Sequence, residues 1–234
     1  MSTLRELSFD LLNILRSGRA GDVEAISLQQ IQFWIKTTRA TLIRQELNKG
    51  KTISENIISH IYNQKVSPVD ISDCPVNLPI GCYIVRTDNR MPRFLEVNDR
   101  DLILSVQTNN IQSQNYTPIP RARLSYLGFN KWNKNMPFTF LRDGYVFLIN
   151  DPNTEYITIE GVLENVEDLA GYNNCVTGES CYDDESRYPI SEYMWDIMKQ
   201  MIMKTNFSIL NNPTDISENG NPDYKQNAQK PPIG

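Results

Sequence analysis

Residues 138–150 read FTFLRDGYVFLIN, two runs rich in aromatic and β-branched side chains with Asp143-Gly144 between them. A two-residue primed turn needs positive φ at its centre, and Asp-Gly supplies it at low steric cost. Each run is too short for a stable helix and has the composition of a strand. The stretch therefore predicts a β-hairpin, and a hairpin needs neighbours to bury its apolar face.

Those neighbours are sought on either side. The runs GCYIVR (81–86), DLILSV (101–106), RLSYL (123–127) and EYITI (155–159) have the same character. Pro68, Pro75, Pro79, Pro92, Pro118, Pro120, Pro137 and Pro152 punctuate them. A β region from 66 to 161 follows from this pattern.

Before it, the period changes to that of a helix. Leu4, Leu7, Leu11, Ile14 and Leu15 recur every three or four residues, and Gly18 stands where a C-terminal glycine cap belongs. Ser27 with Gln30 three residues later has the form of a capping box. Behind it Ile31, Trp34, Ile35, Thr38, Leu42 and Ile43 predict a helix to Asn48, about 33 Å long. Lys36, Arg39, Arg44 and Lys49 are assigned to its opposite, solvated face. A short helix capped by Ser54 and carrying Ile57, Ile58 and Ile61 is expected next.

Beyond the β region, helix returns at Ile190, with a stripe of Met194, Ile197, Met198, Met201 and Ile202 beside Tyr193 and Trp195, running to Leu210. Residues 211–234, NNPTDISENGNPDYKQNAQKPPIG, contain too few apolar side chains to bury a core. Helices, then strands, then a helix give an α+β fold. The expected layout is a helical part at 1–65, an inserted barrel- or sandwich-like β domain with an acidic loop at 66–188, a helix at 189–210 completing the bundle, and an extended tail at 211–234. In that layout the β domain is a lobe standing off a helical body.

The 234 residues carry a formal net charge of -5, whereas a chain built to grip phosphate backbones normally has a basic excess. Charge is distributed unevenly. Residues 160–187 hold eight acidic groups and one basic, while residues 1–65 hold nine basic and six acidic. Such asymmetry permits head-to-tail contact between copies, and a solvated acidic loop is the plainer reading. The amphipathic N-terminus has no signal-peptide pattern, and no window has the length and apolarity of a membrane span. No membrane partner is expected.

Chemistry has few footholds. His60 is the only histidine, and no HExxH, phosphate-binding glycine loop or nucleophile elbow occurs. Cys74, Cys82, Cys175 and Cys181 have seven and five intervening residues within each pair, wider than zinc knuckles use. Reduced thiols are expected. Asp183, Asp184 and Glu185 lack the central glycine and alternating ligands of a calcium loop. Arg121, Arg123, Lys131 and Lys134 interleave with Tyr116, Tyr126, Phe129 and Trp132, either a nucleic-acid stacking surface or an ordinary two-faced β surface. The expectation is no enzyme, no cofactor and no metal. A thiol-dependent activity at Cys175 or Cys181 is the rival enzymatic reading.

The segment from Ile157 to Leu210, followed by NNPTDISENGN, resembles a virion structural family of crAss-like tailed bacteriophages. The residues that carry the likeness are Gly161-Val162, Cys175 and Cys181, Tyr182-Asp183-Asp184-Glu185, Tyr188-Pro189-Ile190, and Met194-Trp195. Phe33, Trp34, Arg39, Leu42, Ile43 and Gly50 of the long helix, Gly81-Cys82 and Gly144-Tyr145 are similar as well. Ser191 stands where the family pattern has proline, and 54–66 fits it less well. The likeness spans roughly residues 28–220.

What the resemblance implies is a subunit of a head-to-tail connector: a ring adaptor of twelve copies below the portal protein, lining the channel through which genomic DNA leaves. Its partners would be further copies of itself, the portal, other connector or tail proteins, and the passing DNA without sequence-specific binding. It would be assembled in the host bacterial cytoplasm and reside at the head-tail interface of the virion. Asn212, Pro213, Asp215, Asn219 and Tyr224 would belong to a tail docking on the portal or a neighbour. Glu164, Glu167, Asp183, Asp184 and Glu185 would form an acidic inter-subunit segment. The alternative within the virion is another tail or collar component, or a host-binding module with its β part facing outward.

Overall fold

The computed structural model describes residues 2–16, 26–69, 83–109, 115–124, 126, 136–172, 180–183 and 185–207. The chain begins with α1 (Leu4–Arg16) and α2 (Leu28–Asn48). Helix α1 starts in a capping box: Thr3 N–H donates to Glu6 Oε2 (3.0 Å) and Glu6 N–H to Thr3 Oγ1 (3.1 Å). At α2 the Gln30 N–H donates to Ser27 Oγ (3.1 Å). That helix stops at Gly50, whose φ of +77° suits the left-handed position after a helix end.

Strand β1 (Ser59–Pro68) comes next. The expected helix over Ile57, Ile58 and Ile61 is corrected here: a single 3-10 turn, Glu55–Ile57, leads straight into the strand. Asn63 has φ +49° and the pairing register shifts between Ile61 and Gln64. This bulge interrupts the alternation that would mark the strand. Three isoleucines at 57, 58 and 61 then imitate a helical period. His60 accordingly lies on a strand.

The remaining strands are β2 (Ile84–Thr87), β3 (Glu96–Val97), β4 (Arg100–Asp101), β5 (Ile103–Thr108), β6 (Thr117–Pro118), β7 (Phe138–Arg142), β8 (Tyr145–Ile149) and β9 (Tyr156–Gly161). A four-residue helix, α3 (Arg121–Leu124), stands where RLSYL suggests a strand. Pro120 precedes it, and Arg123 N–H closes a turn on the Pro120 carbonyl (2.8 Å). Seven strands form one sheet in the order β5-β9-β1-β2-β8-β7-β6, while β3 and β4 make a separate ribbon. The two sheet ends meet where Gln107 bridges Asn115 and Tyr116 N–H donates to the Val106 carbonyl (2.9 Å). The sheet is thus a nearly closed barrel. The β7–β8 hairpin turns at Asp143 and Gly144, both at positive φ (+53° and +81°), as the Asp-Gly pair predicts.

Alternation sorts the side chains. Val85, Val146, Leu148, Ile157 and Ile159 face the main core. Ile84, Phe138, Phe140, Phe147 and Ile149 form a second cluster closed by Leu124 of α3, with Phe140 and Phe147 stacked at 4.9 Å. This half of the sheet is buried on both faces, which explains why YVFLI has no polar alternation.

Helix α4 (Glu192–Ile202) returns to α1 and α2 and ends in a π-helical turn, Met203–Phe207. Met194, Met198 and Ile202 are buried, and Trp195 Nε1 donates to Asp10 Oδ2 of α1 (3.3 Å). Ile197 and Tyr193 instead face solvent. Leu11, Ile31 and Ile35 of the helices belong to the same apolar cluster as Ile61, Val106 and Ile159 of the barrel. The helices therefore cover the barrel and share its core, which differs from a lobe standing off a helical body.

Candidate assembly surfaces

At the centre of the helix–barrel junction is a charged side chain. Arg39, expected on the solvated face of α2, is fully buried. Its Nη1 donates to the Leu163 carbonyl and its Nε to the Pro189 carbonyl, each at 2.9 Å, and its guanidinium lies 5.7 Å from the Tyr188 ring centroid. Nη2 has no hydrogen-bond partner. Burial pulls the guanidinium below its ordinary pKa, partly offset by Tyr188 and Tyr182, and burial pushes the Tyr188 phenol up to about 12. One side chain thus joins α2, the chain leaving β9 and the segment entering α4. The signal was present in the sequence: Arg39 lies four residues after Ile35 and four before Ile43, on the apolar stripe.

The acidic segment lies against α2. Lys36 Nζ is 2.6 Å from Glu167 Oε1, and Arg44 Nη2 is 3.5 Å from Glu164 Oε1. Arg93 Nε reaches the other Glu164 oxygen at 3.0 Å. Basic N-terminal part and acidic segment do meet, therefore, within one chain. Asp183 and Glu185 are exposed, with the Ser186 hydroxyl and the Glu185 N–H bonded to Asp183 Oδ1 (2.7 and 3.0 Å). Asp184 lies outside the described residues, as do Asn212, Pro213, Asp215, Asn219 and Tyr224.

The other candidates are dispersed. Cys74, Cys82 and Cys175 fall outside the described residues; Cys181 is half-buried, its N–H donating to the Tyr172 carbonyl (2.6 Å). His60 Nδ1 is 3.5 Å from Glu160 Oε1 on the barrel exterior, beside a groove of about 220 Å³ lined by Tyr62, Cys181 and Arg187. Among the described residues, no three His, Cys, Asp or Glu side chains come together as a metal site would need. Of the basic and aromatic set, Tyr116 is buried while Arg123 and Tyr126 are exposed; Phe129, Lys131, Trp132 and Lys134 lie outside the described residues, and so does the Arg121 side chain. No described helix is long and apolar enough to cross a membrane.

The family model for phage tail ring protein 2, a crAss-like phage family, matches residues 6–226. The chain belongs to this family. The matched span takes in α1 from Glu6 onward, and the whole of α2, the barrel, the acidic segment and α4. No curated protein matches the chain. As a tail ring protein it is a phage virion ring component, and what the geometry offers such a component is surface: charged and aromatic side chains on a barrel braced by helices.

Proposed function

We propose that this chain is a non-enzymatic structural subunit of the head-to-tail connector, forming a closed ring below the portal through which the genome leaves. Membership in a tail ring family carries this reading. A ring is built from heterologous contacts whose rotation closes, so each copy must present two different patches. In this reading the acidic turn at Asp183 to Glu185 is one of them. Glu164 and Glu167 already have cationic partners in their own chain and act through the position they give the segment. Twelve copies would match the portal, assembly would take place in the host cytoplasm, and the tail around Asn212, Pro213, Asp215, Asn219 and Tyr224 would dock on the portal or on a neighbouring copy.

Imaging of intact particles, with the protein labelled, tests the proposal. The expected result is a ring at the neck between head and tail. A label at the distal tip would make the protein a host-facing component, and absence from the particle would end the structural reading. The family description as a tail ring protein favours a second version, in which the ring lies on the tail side and touches another ring instead of the portal. The same images distinguish the two.

A further inference from the structure

The turn of the β7–β8 hairpin gathers arginines on an otherwise acidic protein. Arg86 of β2 and Arg90 of the following loop are both exposed, and their guanidinium carbons lie 5.1 and 5.9 Å from the centroid of one ring, Tyr145. Arg90 is held in place. Met91 N–H donates to the Gly144 carbonyl (2.6 Å), Tyr172 OH donates to the Arg90 carbonyl (2.5 Å), and the Arg90 stem lies over Gly144, where a Cβ would stand 3.6 Å from its Cγ. Gly144 thus serves twice, as the positive-φ residue of the turn and as the floor under this side chain.

Nearby carboxylates are mostly engaged. Asp88 pairs with Lys65 (4.0 Å), Asp143 with Arg142 (3.4 Å) and Glu164 with Arg93 (3.0 Å). Asp101 is the exception: burial pushes its carboxyl above the usual range, and so does the like charge of Glu96, the residue opposite it on the β3–β4 ribbon. Among the described residues, Arg86 and Arg90 have no carboxylate within ion-pair distance. Two forks of donors flanking a half-exposed phenol ring are the groups that bind phosphate oxygens and pack on a sugar or base.

We propose that this end of the barrel is the surface that meets nucleic acid, with Arg86 and Arg90 contacting phosphodiester oxygens beside Tyr145. The proposal rests on the connector reading, in that DNA passes through the ring. It adds which face of the subunit points at it. The contact is local and sequence-independent, because the net charge of -5 repels DNA from the rest of the molecule.

The test is titration of the full chain with a short labelled duplex DNA over a range of salt, followed by fluorescence anisotropy. Wild type should bind weakly at low salt. R86Q/R90Q should flatten the slope of log K against log salt by about 1.8, two phosphate contacts at about 0.9 each, and either single substitution by about 0.9. R86K/R90K, which keeps the charges and loses the forks, should keep the slope and bind less tightly. Arg5→Gln with Arg187→Gln, which removes two exposed charges elsewhere, should leave the slope unchanged. Absence of binding by wild type at low salt overturns the proposal, as does an unchanged slope in R86Q/R90Q. A variant that loses self-association yet keeps its DNA affinity also overturns it, and gives the cluster to a neighbouring copy. Ring position is read from particle images and DNA contact from titration, so either can fail without the other.

Discussion

Arg39 Nη1 and the Leu163 carbonyl, 124 positions apart in the chain, lie 2.9 Å from each other in the interior. Together with the bond from Nε to the Pro189 carbonyl, this contact locks α2 to both ends of the acidic segment. Arg39→Ala takes the guanidinium donors from the buried Leu163 carbonyl and the part-buried Pro189 carbonyl and leaves a cavity the size of the lost stem. The expected loss is about 3 kcal/mol or more in urea unfolding. Arg39→Met keeps the stem and removes the buried charge, so it should cost less. Equal losses for the two would place the stabilisation in the guanidinium alone.

Gly161 ends β9, and a Cβ there would stand 2.7 Å from Phe94 Cε1 and 2.8 Å from the Leu102 carbonyl oxygen. Gly161→Ala should therefore cost about 1–3 kcal/mol, read as a lowered midpoint of thermal unfolding. Adding Phe94→Leu removes one clash and leaves the backbone one, so the double variant should recover only part of what Phe94→Leu does not itself lose.

Much of this was legible before any coordinates. Asp143-Gly144 predicts its hairpin because few residue pairs tolerate two positive φ values, and the apolar stripe of α2 is buried residue for residue as its period requires. The capping box at Thr3 and Glu6 is equally readable, as T-x-x-E. Strand β1 was hidden by its bulge at Asn63. Arg39 was hidden by its charge, since a cation on an apolar stripe is ordinarily assigned to solvent. The assembly surface was the least legible part. Complementary charge at two places in a sequence does not say whether the pairs close within a chain or between chains, and Lys36 with Glu167 closes within one.

That pair makes a prediction of its own. A double-mutant cycle on Lys36→Met and Glu167→Gln should give a coupling of about 0.2–1 kcal/mol in the stability of the single chain, because both side chains are partly exposed. Self-association should change little. A large change in association with no coupling in stability would mean that the two residues find their partners in a neighbour.

Asp151 receives hydrogen bonds from the Tyr116 and Thr154 hydroxyls, both at 2.6 Å, and from the Asn153 N–H at 3.2 Å. Burial alone would raise its carboxyl, and the Thr154 and Tyr116 bonds outweigh it to hold the pKa below the usual range. A depressed pKa gives stability that is fully present above the unfolded value, about 3.9, and is lost as pH falls through the folded one. Asp151→Asn should be less stable than wild type at neutral pH, with the gap narrowing below about pH 4. A gap independent of pH would show that the carboxylate's charge is not what matters.

Deletion of residues 213–234 removes almost nothing apolar. The truncated chain should melt at the wild-type temperature and lose affinity for its neighbours in the particle. A lowered melting temperature would place the tail in the core.

The barrel's near closure limits how copies can join. Interior strands of the seven-stranded sheet have partners on both sides, and its two ends, β5 and β6, come together at Gln107, Asn115 and Tyr116. Such a sheet offers little idle backbone for another copy to extend, so contacts between copies fall to side chains, whose directions and shapes fix an angle. Growth by strand addition has no natural end; growth at a fixed angle comes back to its starting point and stops where that rotation closes.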